Sequence, residues 1–138
     1  MIRTEFIQVD TRGYCDMLDL TPGVERLLTS SGLKEGSVLL FVPGSTAALT
    51  TIEYEAGALQ DLRDAIERLA PTDITYAHDR RWGDGNGFSH VRAALLGAHL
   101  EIPVAGGRLI RGTWQQILLI DFDNGPRQRR VAIQLRGE

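Results

Sequence analysis

The chain has 138 residues, 43% of them hydrophobic and 24% charged, which is the balance of one soluble globular domain with its own core. A net charge of −3 speaks against a protein that wraps nucleic acid, and no run approaches the roughly 18 apolar residues a membrane helix needs. Cys15 is the only cysteine, so no intrachain disulfide or cysteine-based zinc cluster can form, and a small buried apolar role is expected for it. The opening Met1-Ile2-Arg3-Thr4-Glu5 lacks the order of a signal peptide, and a cytoplasmic location is expected.

Residues Thr4 to Val9 alternate in polarity, apart from Phe6 beside Ile7, and predict an opening strand. A turn at Thr11-Arg12-Gly13 leads to Tyr14–Leu18, read as its hairpin partner. Thr21 before Pro22 predicts a helix start, with Thr as the cap and Pro in the first turn. Val24, Leu27 and Leu28 supply that helix's apolar stripe, and Gly32 stops it. Ser37–Val42 is a buried strand closed by Pro43-Gly44, and Thr46–Tyr54 is the next. Leu59, Leu62, Ile66 and Leu69 recur at helical spacing from Gly57 to Leu69, before Pro71. Tyr76–Asp79 reads as a short extended piece, and Arg81–Gly87 as an irregular, glycine-rich loop. Ser89 is the expected cap of a helix through Gly97, with Val91 and Leu95 facing inward. Strands over Glu101–Val104, Gly107–Ile110, Thr113–Phe122 and Arg129–Leu135 finish the chain, the last two joined as a hairpin through Asp123–Pro126. The expected fold is α+β, an antiparallel two-sheet β-sandwich with two to three flanking helices in a single domain over residues 1–138.

Three groups of residues carry possible chemistry. Pro43-Gly44-Ser45-Thr46-Ala47-Ala48 leads into a strand bearing Glu53, a carboxylate that needs a partner if buried. His78-Asp79 is followed closely by Asp84, Asn86, Ser89 and His90, a concentration of imidazole and carboxylate that suits a metal or acid–base chemistry without matching a standard zinc spacing. Gly112-Thr113-Trp114-Gln115-Gln116 opens a long strand on which Trp114 and Gln115 should face opposite ways. Six arginines, Arg108, Arg111, Arg127, Arg129, Arg130 and Arg136, fall in the last third. They read either as a solvated face on edge strands or as a phosphate-attracting rim.

Ser45–Leu49 with Ile52-Glu53, Tyr76-Ala77-His78-Asp79, Ser89–Gly97 and Pro103–Gln115 together resemble the YjbQ-like family. The closing Asp121-Phe122-Asp123, Pro126-Arg127 and Arg130 extend the likeness over nearly the whole chain. The Gly-Arg-Leu and Gly-Thr-Trp-Gln block is its most specific part.

The resemblance implies the two-sheet sandwich, a homotrimer, and a site near a subunit boundary that gathers histidines and a carboxylate around a divalent metal such as zinc or magnesium. Members carry the label secondary thiamine-phosphate synthase, for weak joining of a pyrimidine pyrophosphate to a thiazole phosphate. Two functions therefore stay open: a weak transferase of that kind, or a non-catalytic trimer binding a small phosphorylated molecule at a degenerate metal site. By the resemblance Glu53, His78 and His90 are the catalytic candidates, His78 and His90 also the metal ligands. Ser45, Thr46, Trp114 and Gln115 would frame the pocket; the polar loop and the arginine-rich end add Asp84, Asn86, Ser89, Arg108, Arg127 and Arg130 as further candidate substrate contacts. The histidine that many members carry before the Ser/Thr-Thr-Ala turn is Gly44 here, and one that some carry two residues before His90 is Phe88. Weak or absent metal binding is expected on that account. No nucleic-acid or membrane partner is expected.

Overall fold

Ile117-Leu118-Leu119-Ile120 is apolar on both faces, as in strands covered from both sides, and the fold uses both. In the computed structural model, which describes residues 1–138, this run lies in β7 (Gln116–Asp121). β7 is the middle strand of a three-stranded antiparallel sheet, between β2 (Asp16–Asp19) and β4 (Ala47–Ile52). Ile117 and Leu119, with Ala47 and Leu49, pack against the larger sheet. That sheet has five antiparallel strands in the order β1 (Ile2–Thr11), β8 (Arg127–Gly137), β3 (Gly36–Phe41), β5 (His99–Ala105) and β6 (Arg108–Leu109).

Leu118 and Ile120 point the other way and pack with Leu59 and Ile66 of α2 (Ala56–Leu69) and Ala93 of α4 (Gly87–Leu96). The result is three layers: large sheet, small sheet, helices. α1 (Thr21–Ser31) adds Val24 and Leu28 to the core between the sheets. Each such side chain contributes about 1.5–3 kcal/mol on leaving water.

The two-sheet sandwich stands, with four helices where two or three were expected. The additional one, α3 (Ala77–Trp82), occupies the stretch read as extended. It is too short for apolar periodicity to show. Its ends still agree with a helix: Asp79 in the first turn, Arg80 and Arg81 in the last, and Gly83 as a left-handed C-cap.

The expected β1–β2 hairpin does not form, because β2 pairs with β7 in the other sheet. Gly13, Tyr14 and Cys15 all have positive φ (80°, 51° and 69°), and this turn carries the chain from one sheet to the other. Cys15 is buried there, and burial pushes its thiol pKa up. The Asp123–Pro126 turn likewise crosses between sheets, since β7 and β8 are not neighbours.

Thr21 does not cap α1. Its hydroxyl accepts from the Ile117 N–H at 2.8 Å, while Asp19 Oδ1 accepts from the Thr21 N–H. Ser89 lies inside α4, where the small residues Ser89 and Ala93 are buried. Val91 and Leu95, expected inward, are 41% and 62% exposed. No helix is long and apolar enough to cross a membrane.

Candidate functional site

α3 and α4 meet at a tight corner. Asp79 Oδ1 accepts from the Gly87 N–H at 2.8 Å, tying α3 to the first residue of α4. A Cβ on Gly87 would come within 2.5 Å of the Tyr76 Cβ, so only glycine permits this approach. The corner brings His78 and His90 together, with ring centroids 4.3 Å apart and tilted by 40°. His78 Nδ1 lies 3.4 Å from Asp84 Oδ1 and 3.9 Å from Asp79 Oδ1, and it is buried without a hydrogen-bond partner. An unpartnered buried nitrogen between two carboxylates suits a proton or a cation.

The donor atoms of His78, Asp79 and Asp84 lie within 4.8 Å of one another. One imidazole nitrogen and two carboxylates fit a divalent ion that accepts mixed nitrogen and oxygen donors. His90 instead opens onto a cleft of about 350 Å³, lined also by Gly44, Ser45, Ala47, Ala93 and Gly97.

Beneath the corner runs a buried polar network. Arg129 is the first buried residue of the alternating β8 stripe that continues through Val131, Ile133 and Leu135. It donates from Nε to Asp121 Oδ2 (2.8 Å), and from Nη2 to Asp121 Oδ1 (2.9 Å) and Thr46 Oγ1 (2.7 Å). The Thr46 hydroxyl donates in turn to Asp123, and Thr11 donates to Asp121. Asn86 Nδ2 donates to Asp123 Oδ1, and Asn124 Nδ2 donates to the Asp84 carbonyl. The loop above is thus hydrogen-bonded to the ends of both sheets.

Burial alone would raise the Asp121 carboxyl pKa, but Arg129, the Thr11 hydroxyl and the Asp123 N–H together hold it below the ordinary value. Burial opposes ionisation of Asp123 too. The Asn124 N–H, Asn86, Thr46 and Arg127 outweigh it, and that pKa is also lowered.

The remaining sequence candidates divide clearly. Thr46, Asn86 and Ser89 are buried structural partners and not cleft surface; Ser89 donates to the Asn86 carbonyl. Ser45 lines the cleft, and Asp84 stands beside His78. Arg127 pairs with Asp123 at 3.2 Å, on the side of the His78 loop. Arg130 lies over the Phe6 ring at 4.0 Å, and Arg108 lines a separate cleft of about 460 Å³ with Glu25 and Arg111. The arginines therefore form no common rim.

Glu53 does not join the histidines. It follows β4 at the end opposite Ala47, about 20 Å away at strand rise, and is exposed with Asp19, Tyr54 and Trp114 around another cleft. Because β7 begins only at Gln116, Trp114 and Gln115 belong to the preceding turn, and their facing is not set by strand alternation. Trp114 is 69% exposed, while Gln115 folds back to accept from the Gly112 N–H.

Phe88 is core, 4% exposed, with the Arg92 guanidinium above its ring. It removes a ligand without intruding on the cleft. Gly44 has φ +140°, and a Cβ there would meet Arg129 Nη1 at 3.0 Å. The space a side chain would occupy beside Gly44 is held by a guanidinium.

Asp121, Asp123 and Arg129 were missed as part of this site. A signal existed: the inward stripe of β8 puts an arginine at a core position, and a charge there requires buried partners.

The family model described as UPF0047 protein YjbQ-like matches residues 5–138. A UPF0047 protein of Archaeoglobus fulgidus is 42% identical over 93% of this chain and 97% of its own length. The UPF0047 protein YugU of Bacillus subtilis is 33% identical over 99% of this chain and all of its own. Among solved structures, a YbjQ-like protein of unknown function from Sulfolobus solfataricus superimposes with a TM-score of 0.90 at 31% identity, covering 100% of both chains. A hypothetical protein of Aeropyrum pernix gives a TM-score of 0.91 at 34% identity over 99% of each chain. With its sandwich, its motifs and these relatives in agreement, the chain belongs to the YjbQ-like UPF0047 family.

Proposed function

We propose that this protein binds a small phosphorylated molecule in the cleft beside His90, with the His78–His90 pair as its proton-carrying element. The observation that carries the reading is the packing of the two imidazoles at 4.3 Å, one against carboxylates and the other open to the cleft. A proton on His78 is balanced by Asp84, and a proton on His90 faces whatever the cleft holds. Such an edge recognises phosphate oxygens through charge-assisted hydrogen bonds.

In place of that proton, unprotonated His78 with Asp79 and Asp84 would hold a divalent cation, which would supply charge balance for phosphate oxygens. Its retention is weak, because Gly44 offers no donor, Phe88 is buried, and Asp79 is already committed to the Gly87 amide. The assembly proposed is the homotrimer that the family likeness implies, and the location proposed is the cytoplasm.

The second reading is a weak thiamine-phosphate synthase-like transfer, favoured by the same His78–Asp84 pair, which could pass a proton as pyrophosphate leaves. Glu53 stands apart from the histidines of its own chain, around another cleft.

Calorimetric titration with inorganic pyrophosphate tests the main reading. Saturable binding that is lost in His90→Ala is expected, and no binding to the wild type would overturn it. Release of pyrophosphate from the two thiamine precursors, abolished in His78→Ala, would establish the second reading. Binding without turnover would leave the protein a binding module.

A further inference from the structure

Arginine has five N–H donors, and the three on Nε and Nη2 of Arg129 are spent on Asp121 and Thr46. Nη1 makes no hydrogen bond to the protein, yet it is not sealed off from solvent. The side chain as a whole is only 10% exposed and is fixed by a buried ion pair. Nη1 is directed at Gly44, where an added Cβ would lie 3.0 Å from it. Gly44 and Ser45 are also walls of the cleft that His90 enters. A guanidinium with one unused edge is therefore held rigidly behind Gly44, just beyond the cleft wall on the side of the sheets.

We propose that Nη1 of Arg129 is an anion-recognising group of this cleft, donating an N–H to a phosphoryl oxygen that enters over Gly44, with His90 contributing from α4. This rests on the reading of the cleft as a phosphate site and adds the residue that specifies the anion. The ion pair with Asp121 fixes the fork before ligand arrives, so little side-chain freedom is lost on binding. Glycine at position 44 has two functions here. It accepts a φ of +140° that strains other residues, and it leaves Nη1 uncovered.

The test is heteronuclear NMR of the Arg129 side chain during titration of the whole protein with inorganic pyrophosphate. Calorimetric affinities accompany it for wild type, Arg129→Lys, Gly44→Ala and His90→Ala. Pyrophosphate is expected to shift the Arg129 guanidinium resonances. Arg129→Lys and Gly44→Ala should each weaken binding by about tenfold or more. Should Arg129→Lys fail to fold, Gly44→Ala and the wild-type resonances decide. An unshifted Arg129 with unweakened binding in Gly44→Ala, while His90→Ala still loses affinity, would overturn this proposal and leave the phosphate reading in place. A wild type that ignores pyrophosphate would overturn both.

Discussion

The Arg129 guanidinium and the Asp121 carboxylate meet as two forks, Nε to Oδ2 at 2.8 Å and Nη2 to Oδ1 at 2.9 Å, with Asp121 fully buried. Such a pair is costly to form and costlier to break. Asp121→Asn should destabilise the protein by about 3–5 kcal/mol, because it removes the carboxylate that pairs with both arms of a buried guanidinium and leaves only Asp123 at 3.8 Å. Urea unfolding near neutral pH measures this, and an unchanged midpoint would show the pair to be dispensable.

The same carboxylates predict an acid limit. Asp121 and Asp123 both have folded-state pKa values below the ordinary 3.8. They therefore contribute stability that is complete above that value and is lost as pH falls through the lower, folded values. The thermal midpoint of the wild type should drop steeply below about pH 4. Asp121→Asn should show a shallower decline, and parallel curves for the two proteins would contradict the assignment.

Metal binding should depend on the α3–α4 corner and not on Glu53. Zinc added to the purified protein should be taken up weakly and leave on dialysis. His78→Ala should abolish the uptake, and Glu53→Ala should leave it unchanged. Elemental analysis is the measurement; stoichiometric zinc surviving dialysis would mean the remaining donors hold metal better than their geometry implies. Gly44→His is not a simple way to add a ligand, since the new side chain meets both backbone strain and Arg129 Nη1.

Static light scattering at micromolar protein should give three times the 15.2 kDa chain mass. The family likeness motivates this, and Phe6, Phe41, Ile110 and Trp114 are large apolar side chains left 46–69% exposed on the single chain. A monomer at that concentration would overturn the trimer.

The sandwich was legible because β7 and β3 announce themselves as apolar runs, and α2 by its helical spacing. Pairing was less legible. Alternation says which way a side chain points but not which sheet a strand joins, so β2 was placed with β1 until the positive-φ turn at Gly13–Cys15 carried it across. The site was legible in its histidines, because His78 and His90 sit in a short stretch with few places to go. Glu53 was misplaced relative to them, since a motif gives order along the chain and not the length of the strand between its parts. Arg129 was hidden among exposed arginines. Only its register on β8 distinguishes it from Arg130, which faces out over Phe6.

The central sheet has one further implication. β7 has a strand on each side and a packed layer on each face, so its amides have no local route to solvent. In hydrogen exchange they should be among the last to report, opening only with the whole molecule. Asp121 is the end of that strand, and Phe122 and Asp123 continue from it. The buried network behind the cleft thus belongs to the slowest-opening part of the protein, while α3, with no fully buried residue, is held by its Asp79–Gly87 tie to α4 and should exchange sooner. A ligand entering the cleft would meet His90 on α4 against a fixed anchor, while His78, behind it on α3, sits on the more readily opened element.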